Sequence, residues 1–223
     1  MSSLSPSSIE AVLFDFGLVL SGPPNATAWQ SLRATLNLSE ANFQIGYWRY
    51  RDDYDRGTLT GTAYWNAVAG TVLTSVTLAT LKRLDTDLWT DLNEPMVAWA
   101  ARLQHAGVRT GILSNIGDAM EQGVRQKLPW IAHFDHCVWS HAHLLRKPEA
   151  AIYLIAAQGL GVAIDTILFV DDRDENIAGA EAAGMQAILY RTQDEFLQEL
   201  KRRNLLELWG QEMNGQETSV THA

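Results

Sequence analysis

Five short stretches of the chain are apolar with little interruption: Ala11–Phe14, 109–113, His136–Trp139, 166–170 and 186–190. Their length and their β-branched and aromatic content suit strands buried on both faces. From the second stretch onward, each is followed by a segment able to hold a helix. Alternation of strand and helix predicts a parallel sheet with right-handed crossovers. The interval between the first and second stretches breaks this rhythm. Residues 22–94 contain no good strand, and their apolar positions have helical spacing: Trp29, Leu32 and Leu36, then Tyr47, Tyr50 and Tyr54, then Tyr64, Trp65 and Val68. Pro23-Pro24 and Pro95 bound the interval, which is too long for an ordinary strand-to-helix loop. The prediction is an α/β protein. A Rossmann-like, three-layer parallel-sheet core takes residues 1–21 and 95–210, and a small helical cap of residues 22–94 is inserted after the first strand. Residues 96–105, followed by Gly107, read as a helix with its C-terminal stop. Residues 193–208 read as a further helix, and residues 211–223 as a flexible polar tail.

Polar or acidic residues stand immediately after three of the five runs: Asp15, Ser114-Asn115 and Asp171-Asp172. Open parallel sheets bind ligands beyond the carboxyl ends of their strands, so three separate segments deliver reactive groups to one edge. Asp15 is followed two residues later by Gly17, which lets backbone approach a ligand closely. A carboxylate so presented can act as a covalent nucleophile on phosphorus, and it can equally serve only as a turn cap. Ser114-Asn115 offers a hydroxyl and backbone N–H groups to an anion, or a plain helix N-cap. Lys147 precedes Pro148, which puts it just ahead of a helix start. From there its ammonium can neutralise a phosphoryl group, or it can lie solvated on the surface. Asp171-Asp172 is the strongest local signal. Adjacent carboxylates repel, and a divalent cation relieves the repulsion; magnesium favours one or two carboxylates with waters and phosphate oxygens. Asn176 is spaced to orient these carboxylates from behind. A charged loop with a helix cap is the alternative reading of the pair.

The four motifs, in order, resemble the haloacid dehalogenase-like superfamily. The resemblance rests on Val12-Leu13-Phe14-Asp15-Phe16-Gly17, Leu113-Ser114-Asn115, Arg146-Lys147-Pro148-Glu149 and the run from Phe169 through Asp171-Asp172 to Asn176, with the small-residue stretch Asn176 to Gly184 behind it. It covers about residues 11–20 and 95–190. The resemblance implies a magnesium-dependent phosphomonoester hydrolase. Asp15 would attack phosphorus, Ser114 and Asn115 would bind the phosphoryl group, and Lys147 would stabilise its charge. Asp15, Asp171, Asp172 and the backbone carbonyl of Gly17 would hold Mg2+. One departure stands out. Most phosphatases of the superfamily carry a second Asp two residues after the nucleophile, as general acid and base; here that residue is Gly17. A branch resembling sugar-phosphate phosphatases shares an Asp-x-Gly-x-Val start, matched by Asp15-Phe16-Gly17-Leu18-Val19. The general acid is therefore left unassigned. The implied substrate is a small phosphorylated metabolite, with sugar phosphates among the candidates. A haloacid dehalogenase, and a non-catalytic protein weakened by Gly17, are the alternatives.

Composition narrows the setting. The 223 residues carry a formal net charge of -9, which opposes non-specific binding to nucleic acid or to an anionic membrane. No apolar run approaches the roughly 20 residues of a membrane helix. The start of the chain lacks the pattern of a signal peptide. With Cys137 as the lone cysteine there is no intrachain disulfide, which fits a reducing cytoplasm. A monomer or a dimer is expected. His133, His136, Cys137, His141 and His143 match no usual zinc spacing. Tyr47-Trp48-Arg49-Tyr50-Arg51 mixes aromatics and cations as a sugar-phosphate pocket does, making Arg49 and Arg51 candidate contacts. Helix packing with solvated arginines is the reading the pattern favours.

Overall fold

The computed structural model describes residues 9–210. Five strands, β1 (Ala11–Phe14), β2 (Arg109–Ser114), β3 (His136–Trp139), β4 (Ile167–Asp171) and β5 (Gln186–Leu189), form one sheet in the order β3-β2-β1-β4-β5. Every pairing is parallel. Strand order reverses across β1 and β4, and the residues ending these two strands meet at the switch point.

Five helices lie between β1 and β2: α1 (Ala26–Thr35), α2 (Glu40–Arg49), α3 (Arg51–Arg56), α4 (Gly61–Ala69) and α5 (Ser75–Leu88). Four of them start on a side-chain cap, from Asn25, Ser39, Thr60 and Thr74, each accepting a backbone N–H of the first turn. The crossover resumes with α6 (Glu94–His105), which carries Pro95 in its first turn and ends before Gly107 at φ 78°. The later crossovers use α7 (Asp118–Lys127), α8 (Ser140–His143), α9 (Ala150–Leu160) and α10 (Asp174–Ala183), and α11 (Gln193–Arg202) follows β5.

Residues alternate across β1 as a strand requires. Val12 and Phe14 join the larger apolar cluster with Trp99, Phe134 and Phe196, whereas Ala11 and Leu13 face Ile152, Tyr153 and Ala156 on the other side of the sheet. The larger cluster runs without a break into the inserted helices, through Leu32, Phe43, Tyr47, Tyr54, Tyr64 and Trp65.

Polar contacts pin the insertion to the sheet edge. Arg56 donates to both Glu149 oxygens, at 2.7 and 3.2 Å, and Arg146 pairs with Asp52 at 2.7 Å. The Met120 N–H donates to Tyr54 Oη at 3.1 Å, and the Gly61 N–H to Asp118 Oδ1 at 2.7 Å. The two connections into the insertion run side by side in an antiparallel bridge, Ser21 to Leu92. It is flanked by Gly22 N–H to Asp91 O at 2.7 Å and Asn93 N–H to Leu20 O at 3.0 Å.

Some boundaries differ from those expected. The fourth strand is displaced by one residue, because the Thr166 N–H closes a 3-10 turn onto Ala163 O at 3.0 Å, reinforced by its hydroxyl at 2.8 Å; Asp171 thereby becomes a strand residue. The helix expected over 193–208 ends at Arg202. Asn204 adopts φ 58°, and a separate 3-10 turn, Leu206–Trp209, lays Trp209 against Trp99. The helix after Lys147 starts at Ala150 rather than beside the lysine, since residues 146–149 form a turn closed by Glu149 N–H to Arg146 O at 2.8 Å. The polar tail, residues 211–223, lies outside the described residues.

Candidate active site

Asp15 follows the last residue of β1, where its N–H donates to Val170 O at 2.8 Å and continues the ladder with β4. Its Oδ1 accepts the Phe16 N–H at 2.7 Å. The chain then makes a single wide turn, closed by Ser21 N–H to Phe16 O at 2.8 Å, with Leu18 at φ 59°. That turn carries Gly17 along the same edge.

β4 delivers Asp171, fully buried, and Asp172, half-buried. One carboxylate oxygen each from Asp15, Asp171 and Asp172 lie within 4.8 Å of one another. Lys147 enters from the 146–149 turn at 1% exposure, with Nζ 2.9 Å from Asp15 Oδ1 and 2.6 Å from Asp171 Oδ2. Asn176, on the first turn of α10, donates from Nδ2 to both Asp171 oxygens at 2.9 and 3.1 Å, and the Arg173 N–H adds a bond of 2.9 Å. Asp171 is thus held on three sides before any ion arrives.

Three carboxylates confront one ammonium here, leaving a negative excess that a divalent cation would offset. Burial pushes the Asp15 carboxyl up to about 7; Lys147 opposes the rise, and Asp171 and Asp172 add to it. Burial, with Asp171, likewise raises Asp172. Burial works against the Lys147 charge, yet Asp15 and Asp171 outweigh it and hold the ammonium above its ordinary range. An all-oxygen, carboxylate-rich donor set suits a hard cation such as magnesium.

Ser114, at the end of β2, and Asn115 line the cavity above this cluster. Asn115 also has a second task. Its Oδ1 accepts the Lys147 N–H at 2.8 Å and its Nδ2 donates to Lys147 O at 3.1 Å, so the side chain clamps the lysine backbone. What that side chain retains for a phosphoryl group is one amide N–H.

The cavity has a volume of about 330 Å³. Its floor is Asp15, Gly17, Ser114, Asn115, Lys147 and Asp172, and the insertion supplies Trp48, Arg51, Asp55 and Trp89. Arg49 is exposed, stacks over Tyr50 at 5.5 Å, and does not line the cavity. Arg51 is not solvated, contrary to the favoured reading of that segment. It is buried because Asp55 accepts from its Nε at 2.8 Å, Tyr47 Oη accepts from one terminal nitrogen at 2.7 Å, and Asp85 lies 3.6 Å away. Tyr47 in turn donates to Asp85 Oδ1 at 2.8 Å and accepts from Trp89 Nε1 at 3.0 Å.

Asp55 and Trp89 were not among the expected site residues. Arg51 and Asp55 are spaced four apart, which marks one face of α3; nothing local marks Trp89. The histidines do not gather: His136 and Cys137 lie in β3, and His141 pairs instead with Glu121 at 2.5 Å.

A model of the haloacid dehalogenase-like hydrolases matches residues 9–184. The chain belongs to this family. Among curated relatives of this haloacid dehalogenase-like hydrolase, the drimenol cyclase drtB of Aspergillus calidoustus is 24% identical over 201 residues, 86% of this chain and 36% of that protein. A phosphoglycolate phosphatase of Xanthomonas campestris pv. campestris (strain 8004) is 31% identical over 87 residues, 39% of each chain. The chain thus spans well under half the length of these relatives. Among solved structures, a HAD family enzyme from Bacteroides thetaiotaomicron, bt-2542, superposes with a TM-score of 0.72 at 16% identity, over 87% of this chain and 99% of that one. The same enzyme has been crystallised with magnesium and inorganic phosphate. The L-2-haloacid dehalogenase of Xanthobacter autotrophicus has a TM-score of 0.62 at 19% identity, covering 86% and 82% of the two chains. Likeness at these identities extends to the fold.

Proposed function

We propose that this hydrolase is a magnesium-dependent phosphomonoesterase that works through an aspartyl phosphate on Asp15. The observation that carries the reading is the meeting of Asp15, Asp171 and Asp172 within 4.8 Å, with Lys147 bridging the first two. Asp15, Asp171, Asp172 and the Gly17 carbonyl would hold the ion, which supplies charge neutralisation and a template for the phosphoryl group. The chain's own residues do the rest. Asp15 attacks phosphorus in line with the leaving oxygen. Lys147 opposes protonation of Asp15 and faces the charge that develops on the phosphoryl oxygens. Ser114 and the remaining Asn115 N–H donate to those oxygens. Asn176 and the Arg173 N–H hold Asp171 in place. The inserted helices act as a cap, and Trp48 and Trp89 keep bulk water from the ester.

The substrate is a small phosphorylated metabolite. A cavity of about 330 Å³ accommodates one. Two indole faces beside the Arg51–Asp55 pair suit a sugar phosphate, which offers apolar C–H faces and hydroxyls together. The name of the phosphoglycolate phosphatase relative supports the same reaction class. No helix among the described residues is long and apolar enough to cross a membrane. Nucleic acid is not a partner on this reading, and the protein acts in the cytoplasm as a monomer or a dimer.

A phosphate-release screen over phosphorylated metabolites, with magnesium or with EDTA, tests the reading on wild type and Asp15→Asn. Magnesium-dependent release lost in Asp15→Asn is expected. Release that survives the substitution, or metal-independent halide release from 2-haloacids, would overturn it. The paired Asp171 and Asp172 favour phosphate over halide, because attack on carbon requires no metal. A non-catalytic role ranks lower, since Gly17 is the one departure in an otherwise intact set.

A further inference from the structure

Gly17 leaves the reaction without a proton donor on the core, and the cavity offers a carboxyl group on its other wall. We propose that Asp55, presented by the inserted helix α3, is the general acid and base of this hydrolase. The inference rests on the phosphatase reading above and names the proton carrier that reading lacks.

In-line displacement puts the leaving oxygen opposite Asp15, pointing away from the sheet edge and toward the insertion. Arg51 and Asp55 are the ionisable groups that the insertion contributes to that wall of the cavity. The Asp55 backbone carbonyl accepts from Ser140 Oγ, which also accepts the Ile116 N–H at 2.8 Å just beyond β2. The neighbouring Tyr54 Oη is bonded to Met120, and Arg56 to Glu149. Asp55 is therefore tied to the same sheet edge that carries Ser114. Its Oδ1 accepts Arg51 Nε at 2.8 Å, and among the described residues no hydrogen bond reaches Oδ2. One oxygen is oriented and the other is left to the cavity.

The surroundings suit a group that must exist in both protonation states. Burial raises the Asp55 carboxyl to about 6, with Arg51 and Arg146 opposing the rise and Asp85 adding to it. A carboxyl tuned toward neutrality serves as both acid and base. Asp15 forms its bond to phosphorus as the ester P–O bond breaks, and protonated Asp55 gives its proton to the leaving oxygen, releasing an alcohol. Asp55, now a carboxylate, takes a proton from water as the water oxygen attacks phosphorus. The bond to Asp15 breaks, phosphate leaves, and Asp55 is protonated again.

Asp55→Asn keeps the shape and removes the transferable proton. On alkyl phosphates, whose leaving oxygens need a proton, phosphoenzyme formation is expected to slow ~10²–10⁴-fold. On p-nitrophenyl phosphate, whose leaving group departs as an anion, the loss should stay within a few fold. A merely positional role through Arg51 would slow both esters alike, and that result would overturn the proposal; so would no change in either. Gly17→Asp in the Asp55→Asn background should restore alkyl turnover, because a Cβ at Gly17 meets nothing within 4 Å and φ there is -65°. If Asp55→Asn does not fold by thermal melting, the wild type decides. Comparable phosphoenzyme formation from both ester classes is expected, and a steep fall with leaving-group basicity overturns the proposal. Asp15→Asn, assayed beside these, should be silent on both esters; residual turnover there would remove the nucleophile itself, and the proposal with it.

Discussion

Lys147 is the buried cation on which the acidic cluster depends, so Lys147→Met is the most informative single change for stability. The substitution keeps most of the volume and removes the charge that lies 2.9 Å from Asp15 and 2.6 Å from Asp171. Breaking a buried ion pair by deleting one partner costs ~3–5 kcal/mol, because the carboxylates left behind have neither water nor a counter-charge. For a chain of this size ~1 kcal/mol moves Tm by roughly 2–4 °C, so the metal-free variant should melt roughly 6–20 °C below wild type at about pH 8. The deficit must shrink in acid. Asp15 already stands at about 7 against an ordinary 3.8, and loss of the lysine raises it further. A carboxyl raised in the folded state contributes stability that is fully present below its unfolded value and is lost as pH rises through its folded one. Up to about pH 7 the two proteins lose alike; above it wild-type Asp15 is ionised and its loss levels off, while the variant goes on losing, so the deficit opens above pH 7 and closes below it. Magnesium should stabilise both proteins, each by ~2.7 kcal/mol at a hundredfold excess over its own Kd. The assay is thermal and urea unfolding of both proteins across pH, with EDTA and then with magnesium. A deficit under ~1 kcal/mol near pH 8, or one that grows toward acid, would refute the reasoning.

Three further outcomes follow from the same geometry. Asn176→Leu removes both hydrogen bonds from Nδ2 to Asp171, and magnesium affinity by calorimetry should fall ~10–100-fold; an unchanged affinity would mean that Asp171 is oriented without it. Gly117→Ala would put a Cβ 2.1 Å from the Tyr54 ring, and the displaced tyrosine should cost ~1–3 kcal/mol in urea unfolding. Trp48→Ala removes a side chain that is 50% exposed on the cavity wall. It should raise KM, lower kcat as water reaches the ester, and alter stability by less than ~0.5 kcal/mol.

What could be read from the sequence was what a single strand end carries. Asp15 and Asp171 each close an uninterrupted apolar run, and in a parallel sheet all such ends share one edge. Their convergence therefore follows from pattern and topology together. Asn176 was legible because it follows Asp171 by five residues, on the first turn of the helix that leaves that strand end. The buried Arg51 was not. Its burial depends on Asp85, 34 residues along the chain, which supplies counter-charge beside Asp55 only once α5 has packed against α1 and α4. Asn115 likewise clamps a lysine 32 residues away, and no local feature distinguishes that task from phosphate binding. Asp55 reads locally as one more acid in the charged run Arg51-Asp52-Asp53-Tyr54-Asp55-Arg56. The cavity and the tether to Ser140 single it out.

The phosphoryl group on Asp15 is the central claim, and acid-quenched turnover followed by mass spectrometry of the peptide bearing Asp15 tests it most directly. With magnesium and a turned-over phosphate ester, the account predicts a phosphoryl adduct on Asp15 that forms and decays at the rate of turnover and is missing from Asp15→Asn. Phosphate release with no adduct on Asp15 at any time point, or with the adduct on another residue, would contradict it.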